Sequence, residues 1–107
     1  MPSPSTTLST HVLDAALGRP AAGLDLTLAL EDGSTTQART DDDGRASLGE
    51  VPAGVHRLSF ATGRWFAGQD RATFHPEVVV AFTVTAGEHH HVAVLLSPFA
   101  YTTYKGS

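Results

Sequence analysis

The chain has 107 residues, no cysteine, and seven Lys and Arg against eleven Asp and Glu, for a formal net charge of -4 at pH 7. That length gives one domain with a single core, and the missing cysteines exclude a disulfide framework, thiolate metal sites and a cysteine nucleophile. The acidic balance argues against a nucleic-acid binder, which needs a basic face, and no stretch approaches the roughly 20 apolar residues of a membrane helix.

Residues 1–6, Met-Pro-Ser-Pro-Ser-Thr, hold neither a basic residue nor an apolar run. They read as a flexible segment ahead of a domain spanning 7–107, not as a signal peptide, and a cytoplasmic protein is expected. Residues 7–13 are a strand candidate, with Ser9, His11 and Leu13 on one side. Gly18-Arg19-Pro20 follows as a turn. Residues 24–31 place leucine at every other position, the pattern of a half-buried strand. Asp32-Gly33 is a hairpin signal before a further strand candidate at 34–40. Asp41-Asp42-Asp43-Gly44 suits a solvated turn. Arg45 would then begin a strand, as a surface cation or as an inward-reaching anion clamp.

Pro52-Ala53-Gly54 separates that region from a strand at 55–62, and a short helix is expected around 64–72, interrupted by Gly68. Residues 77–85 and 91–97, divided by Ala86-Gly87, are rich in β-branched and aromatic side chains. After the Ser97-Pro98 turn, Tyr101, Thr102, Thr103, Tyr104 and Lys105 alternate bulky and small polar groups, as an edge strand decorated with hydroxyls would. Many short strands with closely spaced turns predict an all-β sandwich.

The histidines are the first candidates for chemistry. If the strand begins at 89, His89 and His91 share one face and His90 points to the other. A His-x-His pair with His11 as third ligand is compatible with zinc. The same residues also fit a partly solvated strand start, or catalysis by imidazole. Asp14 suits shaping the turn before Gly18 more than orienting His11. His56, His75 and the Trp65-Phe66 pair read as structural, and Ser97 has no motif that would activate it.

Four separated motifs go further. Leu8-Ser9-Thr10-His11-Val12-Leu13-Asp14 with Gly18-Arg19-Pro20-Ala21, then Thr40-Asp41-Asp42-Asp43-Gly44-Arg45, then His91-Val92-Ala93-Val94-Leu95-Leu96-Ser97-Pro98, and finally Tyr101-Thr102-Thr103-Tyr104-Lys105-Gly106-Ser107 resemble the 5-hydroxyisourate hydrolases. Phe74-His75-Pro76-Glu77 is similar to that family's Phe-Pro-Glu strand entry. The resemblance spans residues 8–107. It implies a transthyretin-like β-sandwich of two four-stranded sheets, assembled as a homotetramer with active sites at the dimer–dimer interface.

It further implies that His11, Arg45 and His91 are catalytic, and that they bind substrate together with Tyr104, Lys105 and Ser107. The reaction implied is hydrolysis of 5-hydroxyisourate to 2-oxo-4-hydroxy-4-carboxy-5-ureidoimidazoline by histidine-activated water, with no cofactor and no metal. A non-enzymatic transthyretin-like carrier of small planar molecules is the alternative. Two positions depart from the family pattern. Lys105 stands where arginine is usual, keeping the charge and losing the planar fork, and Ala93 stands where proline is common.

Overall fold

The computed structural model describes residues 5–107; residues 1–4 of the expected flexible segment lie outside them. Thr6, within that segment, is tied down at both ends: its Oγ1 accepts from Gly87 N at 2.7 Å and its carbonyl from Val51 N at 2.9 Å.

Nine strands and one helix follow in chain order among the described residues: β1 Thr7–Asp14, β2 Arg19–Pro20, β3 Asp25–Ala29, β4 Thr35–Arg39, β5 Arg45–Glu50, β6 Gly54–Phe60, α1 Thr62–Ala67, β7 Val78–Val84, β8 His89–Leu96 and β9 Tyr101–Gly106. One sheet runs β4-β3-β6-β7. The other runs β1-β8-β9, with β2 and β5 taking consecutive stretches of the free edge of β1. The expected pair of four-stranded sheets is therefore present, with one edge shared by two short strands.

Period-two patterning decides what each sheet buries. In β1 the inward residues are Leu8, Thr10, Val12 and Asp14, and the outward ones are Thr7, Ser9, His11 and Leu13. Leu24, Leu26 and Leu28 are buried with Leu58, Phe60, Phe66, Val94 and Leu96. Each such side chain contributes on the order of 1.5–3 kcal/mol over its exposed state. Two buried polar groups are fully satisfied. Thr10 Oγ1 donates to Val92 O at 2.7 Å, and His56 lies between Glu31 N (3.0 Å) and Pro52 O (2.7 Å).

The helix is displaced from 64–72 to Thr62–Ala67. Tertiary packing sets its start: Gly63 abuts Pro76, where a Cβ would come within 2.8 Å of the carbonyl oxygen. Thr62 Oγ1 donates to His75 O at 3.0 Å. Gly68 caps the last turn, and Asp70 at φ 56 turns the chain away.

Asp14 ends β1 inside the protein. Its side chain is 1 % exposed and accepts from Arg71 Nη1 at 2.7 Å, while Arg71 packs its guanidinium 4.8 Å from the Phe66 ring centroid. Burial pushes the Asp14 carboxyl up, but the Arg71 hydrogen bond and the Leu17 and Ala16 amides outweigh it, and the net value falls below 3.8. The stabilisation is thus full above 3.8 and disappears as pH falls through the depressed folded-state value. Arg71→Ala leaves the carboxylate buried alone and is expected to cost about 3 kcal/mol in urea unfolding at pH 7. A loss under about 1 kcal/mol would show that the pair contributes little.

Candidate active site

The β1–β8 pairing is parallel and central, and it brings residues 7–14 alongside 89–96. Strand register then lays out the outer face of this sheet in rows. Arg45, His11, Ala93 and Tyr104 occupy one row. Ser47, Ser9, His91 and Gly106 form the next, and Glu50, Thr7 and His89 a third. Residues directly opposite across a sheet share a face, so four of the expected site residues, His11, Arg45, His91 and Tyr104, converge on one patch.

Arg45 owes its place to the turn before it. Asp41 Oδ1 accepts from Asp43 N at 2.9 Å and Arg45 N at 3.0 Å, so the acidic run is a built turn. Gly44 adopts φ 75 and packs so tightly that any Cβ would strike the carbonyl of Val12. Its own carbonyl accepts from Val12 N at 2.8 Å, which locks Arg45 opposite His11.

His11 and His91 lie 6.5 Å apart between ring centroids, tilted by 33°. His91 Nδ1 is engaged by Ser9 Oγ at 2.7 Å, leaving Nε2 free. Ser9 Oγ also meets His89 Nε2 at 3.0 Å, and His89 Nδ1 meets Thr7 Oγ1 at 2.7 Å. Desolvation lowers the His91 value below 6.5, assisted by the charge of Arg45 and by His11 and His89. A neutral imidazole near neutral pH, with one nitrogen fixed and the other bare, is equipped to take a proton from water.

The remaining expected residues divide. Ser107 is exposed at the foot of β9. Lys105 pairs with Val92, so alternation sends its side chain to the opposite face from Tyr104, at the groove between β7 and β9 that His91 and Tyr104 also line. His89 turns to Thr7 and Ser9, and among the described residues no three His, Cys, Asp or Glu side chains gather as metal ligands.

Two contributors escaped the sequence reading. Ser9, part of the first motif but given no role there, holds the His91 ring. Gly106 lies directly under that ring, where a Cβ would stand 2.5 Å from His91 Cδ2. The signal for both was available in the alternation, since each is a register partner of His91.

Comparison with known proteins places the chain in a family. Residues 8–106 match the family described as HIUase/Transthyretin. The 5-hydroxyisourate hydrolase of Caulobacter vibrioides is 43 % identical over 94 % of this chain and 97 % of its own length. The solved structure of Klebsiella pneumoniae 5-hydroxyisourate hydrolase superposes with a TM-score of 0.86 at 34 % identity, covering 95 % of this chain and all of that one. Sea bream transthyretin in complex with thyroxine gives 0.79 at 34 % identity, covering 92 % of this chain and 93 % of that one.

Proposed function

Because the chain belongs to the HIUase/Transthyretin family, we propose that it hydrolyses 5-hydroxyisourate in urate breakdown. Water opens the ring at an acyl–nitrogen bond and yields 2-oxo-4-hydroxy-4-carboxy-5-ureidoimidazoline. The observation that carries this reading is the His91 imidazole, held at Nδ1 by Ser9, beside His11 and Arg45 on one open sheet face. A passive carrier has no use for a base held this way, which favours hydrolysis over binding alone.

His91 Nε2 removes a proton from the attacking water. His11 shares the network and orients the water or the ring. Arg45 binds the polarised ureide and stabilises the negative charge that develops on the attacked carbonyl. Tyr104 lies in the same row as Arg45 and His11 and offers its hydroxyl to the substrate, while Ser107 follows the end of β9 and is assigned to the pocket on the family resemblance alone. Lys105, on the other face, makes no contact in this scheme, so Lys105→Arg is expected to leave KM unchanged. A clear fall in KM would place that cation at the substrate. Activated water requires neither cofactor nor metal.

The face is open, and an acyl-transfer site gains from excluding water. Leu17, Phe74, Phe99, Tyr101 and Tyr104 are large side chains left exposed on this chain, as on a self-associating protein. Both features support a homotetramer with the sites between dimers, and solution mass by light scattering checks it.

The test is the ultraviolet decay of 5-hydroxyisourate made in situ from urate. Acceleration proportional to protein concentration and insensitive to chelator supports the hydrolase. Spontaneous decay alone, from folded protein, removes it.

The acid limb of kcat/KM supplies a second check. His91 titrates below 6.5, so activity is expected to hold on the acid side of an ordinary histidine. Removing the Arg45 charge in Arg45→Gln makes the imidazolium easier to form, raises the His91 value and moves the limb to higher pH. A limb that stays put would separate Arg45 from His91.

A further inference from the structure

Three hydrogen bonds run in sequence across the outer face: His91 Nδ1 to Ser9 Oγ at 2.7 Å, Ser9 Oγ to His89 Nε2 at 3.0 Å, and His89 Nδ1 to Thr7 Oγ1 at 2.7 Å. Each strand of the pair supplies alternate members, β8 the imidazoles and β1 the hydroxyls. His91 is half-buried while His89 is exposed, so the chain leads from the site to solvent.

Proton bookkeeping gives the chain a single direction. With Nε2 bare as the base, His91 carries its proton on Nδ1 and donates to Ser9. A hydroxyl has one proton, so Ser9 then donates to His89 Nε2. His89 therefore carries its proton on Nδ1 and donates to Thr7. Every link is filled, and all point outward.

We infer that Ser9 and His89 form a proton relay that drains His91 during hydrolysis, a reading that rests on the function proposed above. When His91 Nε2 takes a proton from water, the Nδ1–H bond breaks and an O–H bond forms on Ser9. The original Ser9 proton passes to His89 Nε2, and His89 sheds its Nδ1 proton through Thr7 to solvent. His91 stays neutral with Nε2–H formed, ready to protonate the departing ring nitrogen. The reverse transfer restores its Nδ1–H.

The layout explains why such a drain is useful. The charged and titratable groups facing His91 are Arg45 from β5, His11 from β1, His89 from its own strand and the Tyr104 phenol from β9. An imidazolium there meets a guanidinium one row away. His89 is two rows from Arg45, and the Glu50 carboxylate occupies its row. A positive charge is better held at His89 than at His91. Ser9 and His89 are thus positioning residues, and the catalytic contact with water stays with His91.

The experiment compares wild type, Ser9→Ala, His89→Gln, the double variant and Ser9→Thr, which keeps a hydroxyl. Turnover is followed in dilute buffer and in buffer enriched with imidazole. Wild-type turnover must come first, because its absence refutes the hydrolase itself and not the relay. Given that turnover, each single change to Ala or Gln is expected to lower kcat about tenfold in dilute buffer. The double variant should be no slower than the slower single one, since both cut one wire. Added imidazole should recover most of the loss, and Ser9→Thr should need none. Losses that add, or that imidazole leaves untouched, overturn the relay, as does full activity in both single variants.

Discussion

His91→Asn is expected to lower kcat by about a thousandfold while leaving the folded protein intact. The substitution is chosen for what it keeps. An asparagine amide nitrogen stands near the position of Nδ1, so the contact with Ser9 survives and the outer face stays filled. What disappears is the second nitrogen, the one left bare in the native arrangement. His91 sits on the outward face of β8 and not in the core. Stability should therefore move by no more than about 0.5 kcal/mol. Progress curves of 5-hydroxyisourate decay, corrected for the spontaneous reaction, measure the effect beside a thermal melt. A variant retaining about a tenth of wild-type kcat would transfer the role of base to His11.

Gly106→Ala is the second large effect, and it removes no ionisable group. The added methyl would lie 2.5 Å from His91 Cδ2, 3.3 Å from Cγ and 3.5 Å from Cβ, all atoms of one side chain. Backbone does not have to move, because the imidazole can swing away. Its swing breaks the 2.7 Å contact with Ser9 and carries Nε2 off its line. A displacement of about 1 Å in a reacting group is worth roughly a hundredfold in rate, with little change in melting temperature. Histidine imidazole resonances should shift for His91 and stay in place for buried His56. Normal kcat would mean that the ring under strain is not the ring that reacts.

Much of the fold was legible in the chain itself. The leucines at 24, 26 and 28 alternate and all three are buried. Ser97-Pro98 turns where expected, and the strand from Tyr101 follows it at the sheet edge. The helix was misplaced because its cues are not local. Its N-cap, Ala61, makes no side-chain capping bond, and Pro76, thirteen residues on, fits against Gly63.

For the site, motif resemblance found His11, Arg45 and His91, and the register of β1 with β5 and β8 brings them onto one face. Lys105 shows the opposite case. It follows Tyr104 on a strand, so strict alternation sends it to the other side of the sheet. Composition made the last residues look like one cluster, and the pleat divides them. Ser9 and Gly106 stood inside the quoted motifs but received no role, because their value lies in contact with one ring 82 and 15 residues away.

The parallel pairing of β1 with β8 ties the proposed chemistry to the late emergence of β8. His11 meets His91 across seventy-nine intervening residues, and Gly106 sits under the second ring. A nascent chain lacking β8 and β9 can form the β3–β4 hairpin and pair β3 with β6, but it lacks His91 and so the proposed water-activating pair. Pairings of such long sequence separation close slowly. During refolding, the regain of turnover should therefore lag the regain of strand signal, and turnover becomes a stopwatch for the arrival of the C-terminal hairpin.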